Sequence, residues 1–169
     1  MAESNRDRIN PSLLDRLTDD APGSSAPGRG GQAVTVSELR KSVLRDLNWL
    51  FNASQIFGPD EARAWPEVRN SVVNYGLPPL SGLTASGLDV SQLERALRQA
   101  IIDFEPRILP DSISVKALID RQVDHHNVLA LHIEGLLWAQ PVPVELLLRT
   151  QVDLESGQSR VEETTLGRR

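Results

Sequence analysis

The chain has 169 residues, 40% hydrophobic and 24% charged, with a formal net charge of −5, which suits one soluble domain with a core and a tail to spare. Its 18 basic residues are interleaved with 23 acidic ones and aromatics make up only 4%, so no nucleic acid partner is expected by phosphate contact or base stacking. There is no cysteine, which excludes disulfides, thiolate zinc sites and cysteine nucleophiles and suits a reducing, cytoplasmic setting.

The opening MAESNRDRIN lacks the apolar stretch of a secretory signal, and no run of about 18 apolar residues follows, so no membrane insertion is expected. NPSLLDRL, residues 10–17, offers Asn10 as a cap, Pro11 in the first turn, and Leu13, Leu14 and Leu17 on one face. Such a short helix is unstable alone and must dock, on its own domain or on a partner. Residues 18–33, TDDAPGSSAPGRGGQA, hold no large apolar side chain and read as a Gly/Pro/Ser linker. The chain thus divides into a tethered helix (1–17), a linker (18–33) and a single domain (34–166).

Within that domain, TVSELRKSVLRDLNWLFN places Thr35 and Glu38 at capping-box spacing and Leu39, Val43, Leu47 and Leu50 on one stripe, predicting a helix that ends near Asn52. WPEVRNSVVNYGLPPLSG predicts a short helix from Pro66 to Tyr75, stopped by Gly76 and the prolines behind it. DVSQLERALRQAIIDF predicts a second long helix, with Ser91 and Glu94 as its capping box and a stripe from Leu93 to Phe104.

After residue 110 the apolar period falls from 3.6 to 2. SISVKALID alternates, with a bulge expected near Ala117. NVLALHIEGLLW reads as a central strand. PVELLLRTQVDL alternates from Val144 to Leu154, Gly157 fits the turn of a hairpin, and SRVEETTL reads as a last strand. Helices first and then a meander of three to four antiparallel strands make the fold class α+β.

Chemistry is hard to find. No nucleophile elbow, zincin helix or phosphate loop is present. Neighbouring His125 and His126 would point opposite ways in a strand, and His132 reads as a packed or surface residue. Asp103 and Glu105 could reach glycosidase spacing, but nothing marks a sugar cleft. Trp49, Trp65 and Trp138 read as core or interface residues. No catalytic residue, metal ligand or cofactor is assigned.

One step breaks a local rule. Glu105 follows the second long helix, where its charge opposes the dipole. Pro106 stiffens an extended junction there, and in an extended segment Arg107 should project to the same side as Glu105. Two readings are open: an ion pair that serves the fold alone, or a stiff pair offered to partner subunits.

SLLDRLTDD, RDLNWLFN, PEVRNSVVNYGLPPLSG and IIDFEPRI, in this order ahead of a β meander, resemble the TssE family of type VI secretion baseplate subunits, within the phage baseplate-wedge family labelled lysozyme-like. NYGLP and FEPR are the most specific parts. The resemblance implies a non-enzymatic, cytoplasmic baseplate component. Its implied partners are the wedge subunits TssF, TssG and TssK, the sheath proteins TssB and TssC, and the spike hub VgrG. Glu105, Pro106 and Arg107 match the family's Glu-Pro-Arg motif, and with Leu13, Leu14 and Leu17 they form the expected partner-binding set. An open edge of the meander is expected to accept a sheath strand. The lysozyme label leaves a peptidoglycan-cleaving glycosidase as the alternative.

Overall fold

A computed structural model describes residues 11–18, 34–79, 89–118, 128–139 and 142–164. Among these lie five α-helices: α1 (Leu13–Leu17), α2 (Val36–Asn52), α3 (Pro59–Ala64), α4 (Pro66–Arg69) and α5 (Val90–Phe104). Four strands follow: β1 (Ser114–Leu118), β2 (Val128–Leu137), β3 (Val144–Asp153) and β4 (Ser159–Glu163). They form one antiparallel sheet in the order β1-β2-β3-β4. The fold class is α+β, as the change of period implies.

The pleat sorts the side chains of this sheet. Leu129, Leu131, Ile133 and Leu137 of β2 and Leu146, Leu148 and Val152 of β3 are buried on one face. Leu39, Val43, Leu47, Leu50 and Phe51 of α2 and Leu93, Leu97, Ala100 and Ile101 of α5 pack into the same core. The opposite face carries Lys116, His132, Arg149 and Glu162 in one cross-strand row.

Side chains of the two long helices also reach the sheet's two edge strands. Glu94 of α5 accepts from the Ala117 amide at 2.7 Å, and Arg98 donates to the Ile113 and Pro110 carbonyls. The outward Ala117 amide of β1 is therefore engaged. Along β4, Asn52 at the end of α2 accepts from the Ser159 amide at 2.9 Å and donates to its carbonyl. Arg40, near the start of α2, pairs with Glu163 and donates to the Glu145 carbonyl.

Several boundaries differ from the expectations above. Helix α1 is capped by Ser12, whose hydroxyl accepts from the Asp15 amide, and Asn10 lies outside the described residues. The cap of α5 is Asp89, whose carboxylate accepts from the Gln92 amide; Ser91 falls inside the helix. The expected helix Pro66–Tyr75 stops at Arg69, and a 3₁₀ turn takes Val72–Asn74. Beyond the break the Asn74 side chain is buried and accepts from the Phe57 amide at 3.0 Å. Helix α3, begun by Pro59, had no apolar stripe to announce it. The register of β1 on β2 runs through Ala117 without a bulge. The Thr35–Glu38 capping box and the positive φ of Gly157 are as expected.

Candidate functional site

The Glu-Pro-Arg step is built from both ends. Helix α5 closes with the Glu105 amide donating to the Ile101 carbonyl at 2.9 Å. Pro106 cannot continue the helix, and the chain turns out and runs beside the end of β2. There the Trp138 amide donates to the Arg107 carbonyl and the Leu109 amide to the Leu136 carbonyl, each at 2.8 Å. Ile108 drops into the core opposite Leu137. A Cβ at Gly135 would come within 2.9 Å of the Ile108 side chain, so the missing side chain there admits Ile108.

Within this frame Glu105 and Arg107 meet. The guanidinium donates from Nε to Glu105 Oε1 at 2.7 Å and from NH2 to Oε2 at 2.5 Å. The Arg107 amide adds a bond to Oε1. Glu105 is 2% exposed, and a forked cation meets its charge. Arg107 reaches further, to Ser42 Oγ at 3.1 Å and Asp46 Oδ2 at 2.5 Å on α2. Burial alone would lower its pKa, but the two carboxylates outweigh that and hold it well above the ordinary arginine value. The cation is permanent, and 23% of its side chain remains exposed. Pro106 is exposed beside it.

The second specific stretch, NYGLP, converges on the same place. Gly76 has φ 126°, and a Cβ there would lie 2.4 Å from the Ala53 carbonyl oxygen. Only glycine permits this approach. It lets the Leu77 amide donate to Ala53 and the Gln55 amide to Leu77. Tyr75 then stands edge-on to Phe104, ring centres 5.2 Å apart, with its hydroxyl 3.4 Å from the Asp46 carbonyl. Burial, then the nearby Asp46 and Glu105 carboxylates, push its phenol above the ordinary value.

From Asp46 the charges continue outward. Arg45 donates from Nε to Asp46 Oδ1 at 2.8 Å and from NH1 to Asp15 Oδ1 at 2.7 Å. An alternating series thus runs from Glu105 through Arg107, Asp46 and Arg45 to Asp15. Burial tends to raise the Asp15 carboxyl, but Ser12 and Arg45 hold it below the usual carboxylate range. Asp46 first, and then Asp15, hold the Arg45 pKa up against burial. Helix α1 is therefore attached by its polar side. Leu13 and Leu17 are 73% and 75% exposed and Leu14 40%.

Ser42 and Asp46 were not singled out from the sequence. They stand four apart on α2, beside the apolar stripe, and a buried serine one turn before an acid was the available signal. Of the glycosidase pair, Asp103 is engaged by a neighbour on its own helix, accepting from Gln99 at 2.8 Å, and Glu105 is buried. A cleft of about 160 Å³ lies elsewhere, between the end of α2 and the β3–β4 turn, well below the size that encloses a substrate. Among the described residues no group of three or more His, Asp or Glu is placed to hold a metal, and no helix is long and apolar enough to cross a membrane. His125 and His126 lie outside the described residues.

The family of the baseplate wedge protein gp25 matches residues 37–142, the span from α2 through β2 that builds the cluster. The chain belongs to the gp25 family of baseplate wedge proteins. This is also the family of the type VI secretion subunit TssE, and its role is structural. A curated relative within reach of this gp25-like chain is the anti-adapter protein IraD of Salmonella arizonae, 33% identical over 105 residues, 62% of this chain and 73% of the relative. No solved structure matches the chain.

Proposed function

We propose that this gp25-family chain is the TssE-type subunit of a type VI secretion baseplate. It works without catalysis in the cytoplasm, joining the wedge subunits TssF, TssG and TssK to the first ring of the TssB/TssC sheath around the VgrG-bearing hub. The observation that supports the reading is a braced cation with one side open to contact. Arg107 is fixed in direction by a buried carboxylate and shows one side at the surface, with Pro106 next to it. Glu105 braces the motif from inside, while Pro106 and Arg107 are the parts a partner can touch. Leu13 and Leu17, outward on α1, supply an apolar ridge of the kind that docks in a groove.

The sheath strand would add at β4. Bonds from Asp153 to Gln158 and from Thr164 to Leu147 turn the even-numbered residues of β4 toward β3. The amides and carbonyls of Val161 and Glu163 then point outward, and they have no partner among the described residues. Moderate junctions repeated around a ring give strong avidity.

The experiment is co-purification of TssF, TssG, TssB and TssC with the full chain and with a Leu13→Ser/Leu17→Ser variant. Both leucines are exposed, so the melting temperature should stay put while wedge capture is lost. Capture that survives with an unchanged melt rejects α1 as a docking element, and failure of the unaltered chain to bring down any of the four rejects the baseplate assignment. The relative named an anti-adapter supports a second reading, in which this chain acts as an anti-adapter. That reading predicts capture of one adapter protein and none of the wedge or sheath subunits.

A further inference from the structure

Helix α1 sits on α2 in an unusual way. No residue of α1 is buried, and its apolar ridge faces outward. Its attachment to α2 is the Asp15 carboxylate on Arg45, aimed by the Ser12 hydroxyl, which donates to Asp15 Oδ2 at 2.6 Å. Arg45 in turn lies over the Trp49 ring, 5.3 Å from its centre, and Trp49 is half-exposed. An ion pair of this exposure holds weakly, and five helical residues add little order of their own. Arg45 is also underused. Its Nε serves Asp46 and its NH1 serves Asp15, but its NH2 is buried without a hydrogen-bond partner. A carboxylate gripping NH1 and NH2 together would bind better than Asp15 does.

We propose that the Arg45–Trp49 face of α2 is a binding surface for a short helix presenting a carboxylate, and that α1 is its resident, exchangeable occupant. The partner is a protein helix with an Asp or Glu where α1 carries Asp15, free to take both amino groups of Arg45 and to cover the Trp49 ring. Its arrival releases α1, so the surface and the leucine ridge are freed in one event. The inference rests on the contacts of α1 and holds whether or not the chain works in a baseplate.

A synthetic peptide of residues 10–18 is the probe, titrated into ¹⁵N-labelled full-length chains and followed at the Trp49 indole and Arg45 Nε resonances. In the Asp15→Arg chain the resident helix is repelled from Arg45 and the peptide should bind saturably. The unaltered chain should need several-fold more peptide, because tethered α1 competes at high effective concentration. The Arg45→Glu chain should not bind it, and a peptide with Asp15→Arg should restore binding there. Thermal melts of all three chains should agree within a few degrees, since every altered side chain is partly exposed. Equal responses in the three chains, or no saturable response in the Asp15→Arg chain, would overturn the proposal.

Discussion

At Arg107 one side chain carries two duties, and substitutions separate them. The Glu105 carboxylate is buried and accepts three hydrogen bonds from Arg107. Arg107→Ala keeps only the backbone bond and leaves a carboxylate enclosed without its cation. Breaking a buried pair in this way costs about 3–5 kcal/mol, so the melting temperature should fall by roughly 10 °C. Arg107→Lys keeps the charge but loses the fork that spans Glu105, Ser42 and Asp46, and should melt between the two. If Arg107→Ala melts like the unaltered chain, the cluster is not holding α5 to α2 and its packing role is wrong. Gly76 offers a second test. Its φ of 126° and the Ala53 oxygen 2.4 Å from a built Cβ make Gly76→Ala strained and crowded together. A loss of about 2 kcal/mol or more is expected by denaturant titration, and a neutral result would mean that the segment 53–57 shifts freely.

At the scale of elements, the long regular pieces were readable and the joints were not. Helices α2 and α5 and strand β3 announce themselves because one face of each is buried against a single core, which imposes a period on the sequence. Helix α3 and the break at Asn70 have no such period, and no spacing rule encodes the buried Asn74 that accepts from the Phe57 amide. That Glu105 and Arg107 share a side was legible, although the extended backbone it was argued from is a turn, closed by the Ile108 amide on the Glu105 carbonyl. Their attachment to Ser42 and Asp46 was not, because those partners lie 65 and 61 positions away and only the fold brings them together. Strand β4 gives this scale its prediction. Proline at Glu163 removes an amide that faces away from β3, so the ladder survives and only the Arg40 pair is lost. Glu163→Pro should cost about 1 kcal/mol or less by melting yet prevent strand addition, read as loss of TssB/TssC capture. Retained capture would move the sheath contact off this edge.

Over the whole molecule, stability and attachment occupy different parts of the chain. Among the described residues, every buried apolar one falls between Leu39 and Leu154. Helix α1 adds the Asp15–Arg45 pair, with side chains 22% and 31% exposed. Removing residues 1–33 should therefore lower the melting temperature by a few degrees at most, an amount typical of about 1 kcal/mol in a domain of this size. The pH dependence of that small difference identifies its source. The folded pKa of Asp15 lies below its unfolded value, so the stability it contributes is fully present above the ordinary carboxylate range and is lost as pH falls through the depressed folded value. Paired melts of full-length and shortened chains should differ most near neutral pH and converge in acid, below the usual carboxylate range. Salt should shrink the neutral-pH difference as well, because the pair is partly solvated. A difference that persists in acid would mean that α1 is held by apolar contact, and its leucines would then have to face the domain and not outward.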